Sequence, residues 1–170
     1  MRWRIAALMA AGLLASCAGE DGTDLSITPG AGIGEVQVGM TYAGLRATLG
    51  EPDSLSLQSR IALAGYDDFG IEVLFTTANN TEVTDDAVAI AVGARPTRGV
   101  AHRGCPRPGQ SRAEIEAELG EAPEVVGAYH YYPVGVSVEY DSDEVAFAVG
   151  VFAPYALAPE PPPMKKAGAR

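Results

Sequence analysis

Hydrophobic and polar positions along this chain follow two periods that alternate twice. Leu45 and Leu49 lie four apart, as do Ile115 and Leu119, a spacing that puts both side chains of each pair on one helical face. Two-residue alternation follows each pair. Ile71, Val73 and Phe75 share one side of a strand, and Val88, Ile90 and Val92 share one side of the next. In the second half Val136, Val138 and Tyr140 are followed by Val145, Phe147 and Val149 in the same way. The stretches from Leu57 to Leu63 and from Val125 to Tyr132 alternate less cleanly and read as one preceding strand in each half.

The helix ends are marked. Thr41 and Ser111 are placed as N-caps, whose hydroxyls accept an orphan backbone N–H, and Ser111 with Glu114 spells a capping box. Gly50 and Gly120 suit the left-handed position after the last turn, and Pro52 and Pro123 forbid continuation. Helices of about eight residues are too short to stand alone, so they need a sheet to lie on. The turn Asp141 to Glu144 is too short for a parallel crossover, so the strands are expected to be antiparallel. The fold class predicted is α+β: two tandem helix-then-three-strand repeats forming a twisted antiparallel sheet, with short helices on one face.

A shift of 70 residues aligns 39–51 with 109–121, with six of thirteen positions identical. Gly70 to Phe75 parallels Gly135 to Tyr140, and Val88 to Val92 parallels Val145 to Val149. Three matching blocks in the same order point to a duplicated unit, with repeats at 33–98 and 99–153. Residues 17–32, rich in Gly, Asp, Thr and Ser, read as a flexible tether. Residues 154–170, with Pro159 and Pro161 to Pro163, read as a disordered Pro-rich tail.

Residues 1–16 read as an export signal: Arg2 and Arg4, an apolar run from Ile5 to Leu14, then small residues up to Cys17. The run is about half the roughly 20 residues needed to span a bilayer. Leu14-Ala15-Ser16-Cys17 resembles the lipobox of bacterial lipoproteins. That resemblance implies cleavage before Cys17, lipidation of its thiol, and a membrane partner reached through the lipid anchor. Ala18, where an inner-membrane retention signal would place Asp, favours the outer membrane, facing the periplasm.

The whole chain carries a net charge of −10, and loss of Arg2 and Arg4 with the signal moves it to −12. So acidic a domain lacks the clustered Lys and Arg that a nucleic acid requires. Once Cys17 is lipidated, Cys105 is a thiol with no disulfide partner, in a setting where Arg103 and Arg107 would lower its pKa. His102 and His130 are the only histidines, and no metal-ligand spacing, phosphate-binding glycine loop or nucleophile set accompanies them. No cofactor, no metal and no enzymatic activity are expected. A strand over Tyr129-His130-Tyr131-Tyr132 puts His130 and Tyr132 on one face and Tyr129 and Tyr131 on the other.

One asymmetry bears on binding. The hairpin from Thr76 to Ala87 is much longer than its counterpart at Asp141 to Glu144, and long loops on rigid sheets often carry function. Its Asn79, Asn80, Asp85 and Asp86, with Glu72, Leu74 and Glu139 on the open face, form the candidate partner-binding set. Ala89, Ala91, Ser137, Ala146 and Ala148 are expected beside them as small side chains permitting close approach.

The run Gly39-Met40-Thr41 through Leu45 to Leu49-Gly50-Glu51-Pro52, preceded by Ile33 and Val36, resembles the signature of the SmpA/OmlA (BamE) family of outer-membrane assembly lipoproteins. The tandem arrangement is similar to that of the β-lactamase inhibitor protein family, and together the resemblances span roughly 32–152. Their shared residues are caps, turn glycines and core leucines, so they imply a fold and assign no site residue. The first resemblance implies a lipid-anchored, non-catalytic protein-binding or scaffold module of outer-membrane assembly, whose partner is an unidentified envelope protein. The second implies an inhibitor or sensor of a cell-wall hydrolase or β-lactamase.

Overall fold

A computed structural model describes residues 23–78 and 81–154. The chain runs β1 (Thr23–Thr28), β2 (Gly32–Ile33), β3 (Val36–Gln37), α1 (Tyr42–Leu49), β4 (Ser54–Gln58), β5 (Ile61–Tyr66), β6 (Ile71–Thr76) and β7 (Ala89–Ala94). It continues with β8 (Val100–Arg103), α2 (Arg112–Leu119), β9 (Glu124–Val126), β10 (Tyr129–Tyr132), β11 (Val136–Tyr140) and β12 (Ala146–Phe152). The class is α+β, with a helix followed by strands in each of two parts. Eight antiparallel strands form one sheet in the order β4-β5-β6-β7-β12-β11-β10-β9, so the two parts join through β7 and β12.

Both helices start and stop at the expected residues. Thr41 accepts from the Gly44 amide, and Ser111 with Glu114 completes a reciprocal capping box. Gly50 and Gly120 have φ of 87° and 81°, and their amides donate to the Arg46 and Glu116 carbonyls. The duplication extends to individual hydrogen bonds. The Gly39 and Ala89 amides donate to the Ala89 and Met40 carbonyls; the Gly109 and Ala146 amides donate to the Ala146 and Gln110 carbonyls. Each helix is thereby stitched to the last strand of its own unit.

Each unit has four sheet strands rather than three. The single strand expected between Leu57 and Leu63 is a hairpin whose turn residues Ser59 and Arg60 have φ of 52° and 65°. Two left-handed residues match the twist of a tight hairpin, but Asn and Gly usually supply them, so the turn left no compositional mark. Val125 to Tyr132 is likewise a hairpin, turning at Gly127, whose φ is 62°.

A second departure is one of phase. In β7 the buried residues are Ala89, Val92 and Ala94, and in β12 they are Ala146, Val149 and Val151, so each series steps by three once. The register shows why: Leu74 and Phe75 face Ala91 and Ala89, while Glu139 and Tyr140 face Ala148 and Ala146. Ile90 and Phe147 are the extra residues of two equivalent β-bulges, and both are exposed. Val88, Ile90 and Val92 therefore share no face, nor do Val145, Phe147 and Val149.

The tether expected over 17–32 is ordered in its described part. β1 pairs in parallel with β8 and antiparallel with β2, and Ile27 is buried. The strand precedes the first unit yet pairs with the first strand of the second. β2 and β3 lie against β7, and Ile33 and Val36 join Leu45, Ile115, Phe75 and Val138 in one core between the small sheet, the helices and the large sheet.

Candidate functional site

The face of the large sheet opposite the helices is open. Alternation from the core residues sends Leu63, Glu72, Leu74, Ala91, Gly93, Ala148, Gly150, Phe152, Ser137, Glu139, Tyr129 and Tyr131 to it. This surface is hollowed: a groove of about 430 Å³ runs over its centre.

The floor of the groove is set by how the units meet. β7 and β12 pair with Ala94 opposite Val149, Gly93 opposite Gly150 and Val92 opposite Val151. Gly93 and Gly150 are repeat equivalents, as are Val92 and Val149, and Ala94 and Val151. The Gly93–Gly150 pair thus sits on a pseudo-twofold axis, and the groove floor there has no side chain. A Cβ at Gly93 would meet nothing closer than 3.6 Å, and Gly93 has no left-handed φ. Neither packing nor backbone conformation asks for glycine there, and an interior strand glycine weakens a sheet while letting another backbone approach.

Along its length the groove changes character. At the Phe152 end its walls are Leu74, Ile90, Tyr131 and Phe152, with the Tyr131 and Phe152 rings 6.1 Å apart. At the other end Arg95 pairs with Glu72 at 3.3 Å and lies over the Phe147 ring at 5.9 Å. Tyr129 sits beside Glu139 there. The carboxylate, then partial burial and the hydrogen bond to Glu139, hold the Tyr129 phenol above its usual pKa, against the pull of Arg95.

The structure divides the expected partner-binding residues. Glu72, Leu74 and Glu139 line the groove together with Ala91, Ser137 and Ala148. Ala89 and Ala146, expected beside them, are buried on the helical face by the two bulges. Asp85 is on that side too: its carbonyl accepts from the Ala43 amide, and its carboxylate pairs with Arg46, which also pairs with Glu51 at 3.2 Å. Asp86 follows it, exposed, at the N-terminal end of α1. Asp85 and Asp86 therefore lie away from Glu72, Leu74 and Glu139 of the open face. Asn79, Asn80, Cys17 and the proposed signal lie outside the described residues. Sequence reasoning did not assign Tyr129, Tyr131, Phe152 or Arg95 to the site; the face of the tyrosines was readable, but the pairing of β7 with β12 that forms the groove was not.

Other titratable groups are held in their neutral forms. Cys105 is partly buried, and burial, with Glu118 beside it, pushes its thiol up to about 11, overriding Arg107 and reversing the lowering expected from the neighbouring arginines. Tyr132 and Tyr140 share a hydroxyl contact of 3.0 Å on the helical face, and the Tyr140 phenol is driven up mainly by burial. Among the described residues no group of three or more His, Cys, Asp and Glu is placed to hold a metal ion.

His102 Nε2 and His130 Nδ1 are buried without a hydrogen-bond partner, and both imidazoles are held below their ordinary pKa by burial, His130 also by Arg112. The folded state keeps them neutral where the unfolded chain, titrating near about 6.5, takes up protons. Stability is then full above that pH and is lost as pH falls through it, because the unfolded state binds more protons. The thermal midpoint is expected to fall between pH 7 and pH 5. It should fall less in a His102→Gln/His130→Gln double variant; equal slopes would remove the histidines from the account.

No family model and no curated protein matches the sequence. The solved structure of a DUF4309 family protein (YjgB) from Bacillus subtilis is similar at 15% identity with a TM-score of 0.42. The match covers 66% of this chain and 78% of that one.

Proposed function

We propose that this chain is a lipid-anchored lipoprotein of the bacterial outer membrane, facing the periplasm, whose grooved sheet face binds a protein partner without chemistry. The observation that carries the reading is the side-chain-free floor at Gly93 and Gly150, kept open at Gly93 where packing would accept a Cβ. Small floors admit a partner's backbone. The walls supply aromatic contact area at one end and the Glu72 and Glu139 carboxylates at the other. The partner segment that fits is extended, apolar at one end and basic at the other.

The resemblances to outer-membrane assembly lipoproteins and the lipobox-like Leu14-Ala15-Ser16-Cys17 support the address. If Cys17 carries lipid, only residues 17–22 separate it from β1, a reach of about 20 Å when extended. The groove then works next to the bilayer. A second reading, inhibition or sensing of a cell-wall hydrolase or β-lactamase, is favoured by the way two units share one continuous sheet.

Crosslinking in intact envelopes, followed by affinity recovery and mass spectrometry, tests the reading on wild type, Cys17→Ser and Gly93→Leu. A stoichiometric envelope partner is expected with wild type. Cys17→Ser should lose it together with membrane attachment. Gly93→Leu, whose Cβ would make only van der Waals contact with the Glu72 carbonyl oxygen at 3.6 Å and whose side chain would enter the groove, should lose it while keeping both the anchor and the thermal midpoint. Undiminished recovery with Gly93→Leu would rule out the groove as the binding surface.

A further inference from the structure

The geometry points to the chain's own C-terminal segment, residues 159–166, as an occupant of the groove: a built-in competitor for any partner. β12 forms the groove floor and finishes at Phe152, in the wall of the apolar end, and the description stops two residues later at Pro154. Pro154 is packed near Gly30, Gly135 and the Val134 carbonyl, so the chain leaves the fold at this end of the groove.

The sequence that follows has the composition the groove calls for. Tyr155 to Ala158 give four residues in which to reverse direction, and Pro159-Glu160-Pro161-Pro162-Pro163 follows. Such a run favours a polyproline II helix, a low-entropy shape that docks into aromatic-lined grooves. Its four steps span about 12 Å at the rise of that helix. The groove from Phe152 back to Ala148 is also four steps, about 14 Å at a strand's rise. A segment starting over Phe152 and Tyr131 therefore passes Glu72, which lies level with Gly150, and ends its prolines over Ala148 beside Glu139, so that Lys165 and Lys166 come next to Glu139. Length, direction and charge order agree. Arg95 neutralises only Glu72, and Glu139 is met by a neutral phenol, so this end has acidic charge to offer.

The inference concerns the occupant of the groove and stands whether or not an envelope protein also binds there. The test uses the whole chain, carrying Cys17→Ser to remain in solution, and the same chain ending at Pro154. Backbone NMR spectra should differ at Gly93, Ser137 and Gly150 while Leu45 and Ile115 hold still. Lys165→Glu/Lys166→Glu should move resonances chiefly at Glu139 and Ala148. A synthetic 155–170 peptide should return the truncated chain toward the full-length spectrum only near the millimolar concentrations a short tether supplies in cis.

Identical spectra of the two chains at Gly93, Ser137 and Gly150 would overturn the inference. So would differences that fade on about tenfold dilution, which would assign the groove to the tail of a neighbouring copy, because docking within one chain does not depend on concentration. Partner recovery in envelopes with a truncated chain that keeps Cys17 holds the two readings apart. Recovery that rises on truncation fits a competing tail, and loss of recovery with Gly93→Leu in the truncated background tests the groove alone.

Discussion

Gly135→Val is expected to abolish the cooperative unfolding transition, or to lower its midpoint by more than about 10 °C, the shift that about 3 kcal/mol gives in a domain of this size. Gly135 has a φ of 84°, where a β-branched residue is strained by about 1–3 kcal/mol. Its Cβ would lie 2.4 Å from the Phe152 carbonyl oxygen and 2.8 Å from the Gly30 Cα. Both are backbone atoms, so no rotamer change relieves the overlap. The Gly135 carbonyl also accepts from the Phe152 amide at 2.9 Å and the Gly30 amide at 3.4 Å. Three pieces of chain meet there: the β1–β2 turn, the β10–β11 hairpin and the end of β12. Displacing one breaks the register of the others. Gly109→Ala is the control, because Gly109 has a φ of 84° with nothing within 4 Å of its Cβ. It should cost only the strain of about 1 kcal/mol. If the two variants melt together, the overlap at Gly135 is not what holds this corner.

The same contrast, between what is local and what is assembled, explains how much the sequence disclosed. Helix ends were legible because Thr41, Ser111, Gly50 and Gly120 act within one turn of chain. The duplication was legible because both copies kept the same caps and turn glycines. The Ser59–Arg60 hairpin was not, since its left-handed residues are of the wrong type to announce themselves. Nor were the bulges at Ile90 and Phe147, where an extra exposed apolar residue shifts the phase of an alternating run. β1 read as a tether because TDLSIT is polar at most positions and gains its partner, β8, from far along the chain. For the candidate site, alternation placed Glu72, Leu74 and Glu139 on the open face. The groove that makes them neighbours depends on β7 meeting β12, a pairing that no local pattern encodes.

The largest loss from removing a single side chain is expected at Phe75. Its ring is fully buried and meets Tyr42 of α1 edge-on at 5.5 Å. Its cross-strand neighbours are Ala62 and Ala89, so one ring fills the space that two methyl-sized residues leave. Phe75→Ala should therefore cost about 3–5 kcal/mol, the range for deleting a buried aromatic whose site cannot collapse. In the second unit Tyr140 takes the equivalent place opposite Ala146, but its ring meets His130 at 4.9 Å and its hydroxyl meets that of Tyr132. Tyr140→Phe removes one hydrogen bond and keeps the ring, so it should cost about 1 kcal/mol. Urea denaturation followed by fluorescence and circular dichroism would measure both. A single transition is expected for each variant, because the large sheet runs unbroken through β7 and β12 and β1 ties β8 to β2. Two separate transitions in Phe75→Ala, the first losing only part of the ellipticity, would mean that the units fold independently and that the shared sheet couples them less than its register implies.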